Sequence, residues 1–498
     1  MAARPTVRWE RKVCGELKDQ NFRSLECFVV MPKFRVLILG VLVAAVLSLL
    51  AGSQAASAVS LDRDFGSNGT VVFDHGGTLA GGFVLDEFAG QARSVALESD
   101  GSVLVGGGSG AQGIVIRLRP DGGLDPGFGD GGVVRLEDFT NSSKPGYVGD
   151  PYLYAPRIVA ILPRPDGSML LVMRTFDFDG GEFGYSEDVL ISLKADGSPD
   201  LRLLGGYERF LGQTLNSMPR TAVWTTGGKI LIAGADFLST FDRPGHEQAG
   251  YVMRRNPDGT YDSTYGGPAI GQDGWNPGFV KIRSAGWPNR SAISSLIPLS
   301  GGKVVAGGYR RFHPFLTKLD STGRMIKTFG SPKTPGSSTL VYGGTQCGCF
   351  SSGVVAQTPR KGFIQVGHAT QPGNELQNLL ILKYGPGGRF VKSFGKNGVV
   401  RRTLKPYIRI NAVAVQANGR ILVAGSRGYE NESRFMLLRF LPNGKPDKSF
   451  FGNGVYQAKM GQISTADKIV LDGRGHAIVV GGSSTTGEPG GSSSRSST

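Results

Sequence analysis

The chain has 498 residues, 77 of them glycine, with 40% hydrophobic residues and a formal net charge of +15. Glycine at about twice its usual share, beside a normal hydrophobic fraction, excludes a disordered chain and indicates a globular fold rich in turns. Four cysteines in this length exclude a disulfide-dense scaffold. The positive charge favours acidic polymers as partners and is equally consistent with plain solubility.

The first 58 residues differ from the rest of the chain. Residues 1–30 are polar and charged, and we expect a disordered leader or a misplaced reading-frame start, with a long cytoplasmic extension as the alternative. Residues 31–58 combine a basic start, an apolar run at 36–50 and small residues at Gln54–Ala58, which is typical of a signal peptide. The pattern predicts cleavage after Ala58 and a secreted or cell-envelope protein. The alternative is a membrane anchor formed by an uncleaved segment 36–50.

Seven β-hairpin signals follow, each an apolar stretch, a glycine-containing turn and a second apolar stretch that usually ends at glycine. The first spans Ser94–Gly107 and contains an Asp-Gly turn. Asp-Gly, Asn-Gly and Gly-Gly turns favour two-residue hairpin connections, because glycine accepts positive φ without a Cβ clash. The turn glycines recur about every 60 residues, at positions 101, 167, 228, 302, 362, 419 and 475.

A second element follows six of the hairpins, an apolar strand with a polar residue five places before another turn glycine. This residue is basic in five units and serine in one, at Arg117, Ser192, Arg254, Lys318, Lys383 and Arg439. The even spacing allows a ring of binding groups, but a structural pairing with aspartates of the next element is the favoured interpretation. Those aspartates lie in turns where a carboxylate caps backbone amides, at Asp62, Asp125, Asp200, Asp262 and Asp447.

The third element places an aromatic residue and a glycine before a short strand, as in Leu124–Val134. It also opens the predicted mature chain at Leu61–Val72, before any hairpin. Its aromatic side chains are expected to pack one repeat against the next, and they are Phe65, Phe128, Tyr265, Phe329, Phe394 and Phe450.

These three ordered motifs resemble the delta-60 repeat family, whose unit joins an L-D-x-x-F-G-x-x-G-V segment, a D-G-K-I-L-V-A-G hairpin and an R-x-x-x-D-G strand. The resemblance covers residues 61–482 and departs from the pattern at Ile326 and Val391, where aspartate is expected. It implies a propeller-like β-array, often in exported bacterial proteins, and implies no activity.

Four short strands per unit predict an all-β fold, a seven-bladed β-propeller over residues 59–482, with an open β-repeat array as the alternative. The strand at 61–73 lacks a hairpin before it and the last hairpin lacks a strand after it, so pairing of the two would close the ring. Residues 483–498 are Gly/Ser-rich and read as a disordered tail, which predicts a three-stranded or loosened last blade.

This sequence contains no recognised catalytic motif. We therefore predict no catalytic, cofactor-binding or metal-binding residue. Gly108–Gly113 matches a dinucleotide fingerprint in letters, but a strand follows it where a helix is required. Asp177–Glu182 reads as a solvated loop rather than a weak calcium site. Cys347 and Cys349 form either a tight disulfide or an unpaired loop feature.

Two functions from different classes fit these observations. The favoured one is an exported non-catalytic binding or cell-envelope protein that displays the loops 138–156, 268–292 and 331–352, binds an acidic cell-envelope polymer or a protein, and acts as a monomer without nucleic acid. The alternative is an extracellular polysaccharide hydrolase or lyase with a site in the central channel. Converging carboxylates or histidines in that channel would favour the enzyme, and small apolar residues would exclude it.

Overall fold

The computed structural model describes residues 26–35, 61–74, 91–109, 112–136, 154–177, 185–200, 207–210, 217–238, 247–266, 278–282, 290–340, 350–370, 377–429, 432–473 and 475–484. All regular secondary structure in these ranges is β-strand, which confirms the all-β class. In the same ranges, no helix has the length and hydropathy needed to cross a membrane.

Twenty-eight strands are arranged in four-stranded antiparallel sheets. The N-terminal strands are β1 (Glu26–Arg35) and β2 (Val71–Asp74). Blade 1 contains β3 (Gln91–Leu97), β4 (Val103–Ser109), β5 (Gln112–Leu118) and β6 (Val133–Arg135). Blade 2 contains β7 (Tyr154–Pro163), β8 (Met169–Asp177), β9 (Tyr185–Leu193) and β10 (Tyr207–Phe210). Blade 3 contains β11 (Ser217–Trp224), β12 (Ile230–Leu238), β13 (Glu247–Arg255) and β14 (Phe279–Ile282).

The C-terminal half continues the same order. Blade 4 contains β15 (Ser291–Pro298), β16 (Val304–Arg310), β17 (His313–Leu319) and β18 (Ser337–Thr339). Blade 5 contains β19 (Phe350–Gln357), β20 (Phe363–Thr370), β21 (Gln377–Tyr384) and β22 (Val399–Leu404). Blade 6 contains β23 (Ile408–Val415), β24 (Ile421–Tyr429), β25 (Glu432–Phe440) and β26 (Val455–Ala458). The last strands are β27 (Ile463–Leu471) and β28 (His476–Ser484).

This topology corrects the predicted seven-bladed propeller. Six blades, not seven, are built from four consecutive strands, and the remaining sheet is a composite of both chain ends in the order β2-β1-β28-β27. The N-terminal strand was expected to pair with the last hairpin, but β2 pairs with β1, and β1 pairs with β28. The prediction of a three-stranded last blade is also wrong, because residues 26–35 supply its additional strand.

The composite sheet closes the array. On one side, Val479 of β28 shares a buried apolar cluster with Phe435 and Leu437 of blade 6. On the other side, Val480 shares a cluster with Val103 and Ile116 of blade 1. Apart from residues 26–35, the predicted leader and signal peptide lie outside the described residues, as does the tail from 485 onward, so those segments stay predictions.

All seven predicted hairpins are present, but their turns differ from the two-residue connections expected. In the first hairpin, the Glu98 amide donates to Ser102 O at 2.9 Å and the Gly101 amide donates to Glu98 O at 3.1 Å. This pattern encloses three residues and needs positive φ only at the last, where Gly101 has φ 91°. A single left-handed position explains the turn glycines 101, 167, 228, 419 and 475. In blade 5 that position is Lys361, with φ 59°, and in blade 4 both Gly301 and Gly302 have positive φ.

The recurrent aromatic residues fasten each blade to the next, as predicted. Phe65 and Phe128 are almost fully buried, and a Cβ on Gly122 or Gly197 of the following blade would press on their rings. The amide of Gly66, next to Phe65, donates to Asp121 O at 2.8 Å in the same turn. Phe65 belongs to the segment before β2. The composite sheet therefore packs on blade 1 through the same aromatic-to-glycine contact by which the other blades pack on one another.

Three of the five recurrent basic residues pair with recurrent aspartates, which confirms the structural role for those three. Lys383 instead donates to Pro442 O at 2.8 Å. The Nε–Oδ2 distances are 3.2 Å for Arg117–Asp125, 2.6 Å for Arg254–Asp262 and 2.8 Å for Arg439–Asp447. The same aspartates accept backbone amides two residues ahead, as Asp447 does from Ser449 at 3.1 Å. In the unit that carries serine, the Ser192 hydroxyl lies 3.3 Å from Asp200 Oδ2.

Candidate functional site: a cationic central cavity

The first strand of each hairpin contains a β-bulge, and the bulge lies at the equivalent position in all of them. Between Ala92 and Ser94 the register of β3 against β4 shifts by one, so Arg93 is the additional residue of the bulge. A bulge leaves one residue unpaired and redirects its side chain. The extra residues of the seven inner strands are Arg93, Val159, Arg220, Ser294, the pair Ser352 and Gly353, Asn411 and Asp467.

Glycine in the neighbouring strand makes room for the bulge. A Cβ on Gly425 would overlap the carbonyl oxygen of Arg409, and one on Gly481 would overlap that of Thr465. Gly234 and Gly308 stand in the same relation to their inner strands. These four glycines lie at or near the end of the second apolar stretch of their hairpins. A glycine at that place in the sequence therefore marks where the inner strand bends.

The bulges surround a cavity of about 310 Å³ at the centre of the ring. Each inner strand, β3, β7, β11, β15, β19, β23 and β27, contributes at least one side chain to its wall. The lining comprises Arg93, Arg157, Val159, Arg174, Met218, Pro219, Arg220, Ser294, Ser352, Val354, Ile410, Asn411, Asp467 and Lys468. Five of these residues are basic and one is acidic.

Burial disfavours the charged forms of the cavity's basic side chains. Desolvation lowers the pKa of Arg157 to about 10 and lowers the pKa of Lys468 below its ordinary value, where the Asp467 charge opposes the effect and the Arg93 charge adds to it. Nearby His368 has a pKa lowered to about 4 by burial and by the Arg409 charge, so its ring is neutral near pH 7. Low dielectric surroundings strengthen every charge interaction in such a site.

Two arginines of the cavity wall lie directly opposite one another. Arg157 of β7 pairs in register with Arg174 of β8, and Asp188 of β9 lies across the ladder from Arg174 on its other side. Like charges at directly opposed positions are destabilising.

Asp467 is the one carboxylate of the described lining. Its Oδ1 accepts hydrogen bonds from Asn411 Nδ2 at 2.8 Å and Thr465 Oγ1 at 3.0 Å. Its Oδ2 is buried without a hydrogen-bond partner, as is the hydroxyl of Ser294. Desolvation raises the pKa of Asp467 above its ordinary value, against the opposing charge of Arg93.

The residues that the sequence singled out lie elsewhere. Arg117 pairs in register with Leu104, and Leu104 with Ala96, at the turn-glycine end of blade 1, away from the Arg93 bulge. The fingerprint at 108–113 is part of a strand pairing, Gly108 with Gly113, as predicted. Most of the loops proposed for recognition, both late cysteines and residues 178–184 lie outside the described residues. Within the described ranges, no group of three His, Cys, Asp or Glu is placed to hold a metal ion.

The cavity residues were missed because their types follow no repeat. Arg, Val, Ser, Asn and Asp occupy equivalent bulges, so no motif marks them. The available signal was positional, since six of the seven bulges lie opposite a recurrent glycine. The exception is Val159, which lies opposite Met173 and Val172.

One protein-family model and several solved structures are similar to this chain. A family model described as "Domain of unknown function (DUF5122) beta-propeller" matches residues 98–128 and 416–450. Each matched segment runs from a hairpin turn to the buried phenylalanine of the third element, in blade 1 and in blade 6. No curated protein sequence matches the chain.

Several solved structures are similar in fold. They include a glucose dehydrogenase at 17% identity, covering 67% of this chain and 92% of that one, with a TM-score of 0.38. Polysaccharide lyase Uly1 has 12% identity, coverage of 83% and 92%, and a TM-score of 0.41. A PL25 ulvan lyase has 9% identity, coverage of 77% and 87%, and a TM-score of 0.41. Values this low assign no substrate or reaction, and the delta-60 resemblance stays a prediction. The family match and the ring of four-stranded sheets support a β-propeller repeat protein.

Proposed function

We propose that this protein is an exported, non-catalytic binding protein whose central cavity holds an acidic sugar residue of a cell-envelope polymer. The observation that carries the proposal is the composition of the cavity, with five basic side chains against one carboxylate. Partly enclosed positive charge of this kind selects anions, because charge-assisted hydrogen bonds from Arg are strong and bidentate toward carboxylate and sulfate.

The polar groups between the charges favour a sugar over other anions. Ser294 and Ser352 line the cavity with hydroxyl groups, and Asn411 lines it with an amide whose nitrogen donates to Asp467 Oδ1. No aromatic side chain belongs to the lining among the described residues, whereas single-stranded nucleic acid is bound by stacking on aromatic rings. Export is part of the proposal. Cleavage after Ala58 would remove β1 and leave β2 and β28 without the strand between them, so the N-terminal residue of the exported chain decides between the predicted cleavage and the four-stranded composite sheet.

The experiment is a binding titration of the full chain with galacturonic acid and short galacturonate oligomers, against glucose and dextran as neutral controls. We expect binding of the acidic sugars only, with affinity that falls as salt rises. Arg220→Gln should weaken the affinity about tenfold, near the strength of one charged hydrogen bond. Arg360→Gln, an equal charge change on the exposed turn of blade 5, serves as the control. Equal binding of dextran, or equal effects of both variants, would contradict the proposal.

A second candidate function, a lyase, has its own supporting observation. Lys468 and Asp467 are adjacent in the cavity, and burial shifts both pKa values toward the neutral forms. In β-elimination, Lys468 Nζ would take the proton from the carbon beside the sugar carboxylate, the glycosidic C–O bond would break as a C=C bond forms, and Asp467 would protonate the departing oxygen. The described lining offers one carboxylate where hydrolysis uses two, so elimination fits it better than hydrolysis. Ultraviolet absorbance of an unsaturated product, abolished in Lys468→Met, would establish this reaction over simple binding.

A further inference from the structure

A second cationic feature lies beside the cavity, on the connection between β16 and β17. We name residues 309–313, Tyr309 to His313, the rim hairpin. Arg310 pairs in register with Ser291, three residues before the Ser294 bulge, and the Arg311 amide donates to Arg290 O at 2.8 Å. The rim hairpin therefore lies at the end of blade 4 opposite the turn glycine, three residues along β15 from the Ser294 bulge.

Direct contacts connect the rim hairpin to the cavity wall. The guanidinium carbon of Arg220, a lining residue, lies 5.7 Å from the ring centre of Tyr309. Phe312 O accepts a hydrogen bond at 3.0 Å from the amide of Phe350, the first residue of β19. Two residues later, Ser352 lines the cavity. The surface thus continues from the cavity onto the rim hairpin.

The rim hairpin concentrates positive charge. Strands β15 to β20 contain no Asp or Glu, and the single acidic residue of 274–374, Asp320, follows β17 at the far end of the blade. Burial lowers the pKa values of Arg310 and His313, and the charge of Arg311 lowers both further. A pKa lowered below 6.5 leaves the His313 ring neutral at pH 7, so the charge of the rim hairpin resides on Arg310 and Arg311. An anion placed between two cations stabilises both charged forms.

The turn of the rim hairpin uses residues that its geometry disfavours. Arg311 has φ 52° and Phe312 has φ 59°, two consecutive positive values that define the tight turn normally made by Asn-Gly. Bulky residues in the left-handed region are strained, and such strain gathers at functional sites. Here it presents a guanidinium and an aromatic ring together, with the guanidinium carbon of Arg290 5.9 Å from the Phe312 ring centre.

We propose that the rim hairpin is a second subsite for the same acidic polysaccharide, taking the sugar residues next to the one in the cavity. This inference rests on the proposed function of the cavity. Arg310 and Arg311 contact the carboxylate or sulfate groups of these residues, and the ring of Phe312 packs on the apolar face of a sugar. The ligand is therefore an oligomer that runs from the cavity outward over blade 4.

The test is the double variant Arg311→Asn with Phe312→Gly, made in the full chain. Because Asn-Gly is the favoured pair for this turn, we expect a melting temperature equal to or above that of the wild type, so that lost binding cannot be attributed to unfolding. Affinity for galacturonic acid should stay unchanged, while affinity for a galacturonate hexamer should fall about tenfold. The matched control is Lys361→Asn, which removes a cation from a left-handed position (φ 59°) at the turn-glycine end of blade 5 and should change neither affinity.

The outcomes separate this inference from the function on which it rests. If monomer and hexamer bind the wild type equally, or the double variant keeps full hexamer affinity, the second subsite is refuted while the cavity function stands. If the wild type binds no acidic sugar at all, the cavity function fails first. If a single-stranded DNA oligonucleotide binds more tightly than the hexamer and loses affinity in the double variant, the rim hairpin serves nucleic acid and the polysaccharide proposal is overturned.

Discussion

Asp262 shows how one carboxylate holds a repeat together. Its Oδ2 lies 2.6 Å from Arg254 Nε and 2.7 Å from Lys229 Nζ, and its Oδ1 accepts the amide and hydroxyl of Thr264. Burial alone would raise the pKa of this carboxyl, but these hydrogen bonds and the Arg254 charge outweigh it and hold the pKa well below its usual range. The ionised form is therefore built into the folded blade.

Replacing that charge should cost stability. In Asp262→Asn the amide cap on Thr264 can persist, but Arg254 loses its buried counter-charge, so we expect the free energy of unfolding to fall by about 3 kcal/mol. Urea unfolding at pH 7 measures it. Asp258→Asn is the matched control, because exposed Asp258 caps Thr260 in the same way. A loss of similar size in both variants would show that the cap, rather than the charge, matters.

The same group predicts a pH dependence. Because the folded pKa of Asp262 lies below the unfolded value of about 3.9, its contribution is complete above that value and is lost as the pH falls toward the folded pKa. The stability gap between wild type and Asp262→Asn should therefore narrow below about pH 4. Urea midpoints measured for both proteins from pH 7 to pH 3 check the sign, and a gap that widens on acidification would contradict it.

At the scale of the element, the hairpin, its bulge and the facing glycine form one unit. A Cβ at position 425 would overlap the Arg409 carbonyl oxygen, so Gly425→Ala must shift the inner strand next to the Asn411 bulge. We expect a loss of about 2 to 3 kcal/mol in the free energy of unfolding, as for other overpacked sites, together with weaker binding of acidic sugars. Gly387→Ala, at a glycine with open space around it, should change neither quantity. A neutral Gly425→Ala would show that the bulge does not depend on this glycine.

Sequence reasoning succeeded for the elements because their information is local. The turn glycine, the basic residue and the aspartate of one repeat lie within a few dozen residues of one another, and they recur in several repeats. Their pairing could therefore be predicted from the sequence, as for Arg439 and Asp447. Sequence reasoning did not predict the cavity, because bulge residues such as Val159 and Asp467 occupy equivalent positions but have side chains of different chemistry. It failed for the composite sheet, because β1 belongs to no repeat and pairs with β28 across almost the whole chain.

At the scale of the whole molecule, the ring closes through a junction of the ordinary kind. Phe65, ahead of β2, packs on Gly122 of blade 1 as Phe128 of blade 1 packs on Gly197 of blade 2. Phe65→Ala should therefore lower the free energy of unfolding by about 3 to 5 kcal/mol, as much as Phe128→Ala. Chemical unfolding of the two variants provides the comparison. A much smaller loss for Phe65→Ala would indicate that the ring does not depend on its closing contact.

The bulges also separate the residues that line the cavity from the residues that pair the strands. A bulged residue takes no part in the ladder, so its side chain can be exchanged without disturbing strand pairing. Arg93, Arg220, Ser294 and Asn411 each line one sector of the cavity wall, and of these Arg220 and Asn411 also contact the next blade, at Tyr309 and Asp467. Relatives built on the same blades could thus acquire different ligands through a handful of independent substitutions, and a library randomised at these positions alone would explore new specificities within a scaffold that stays folded.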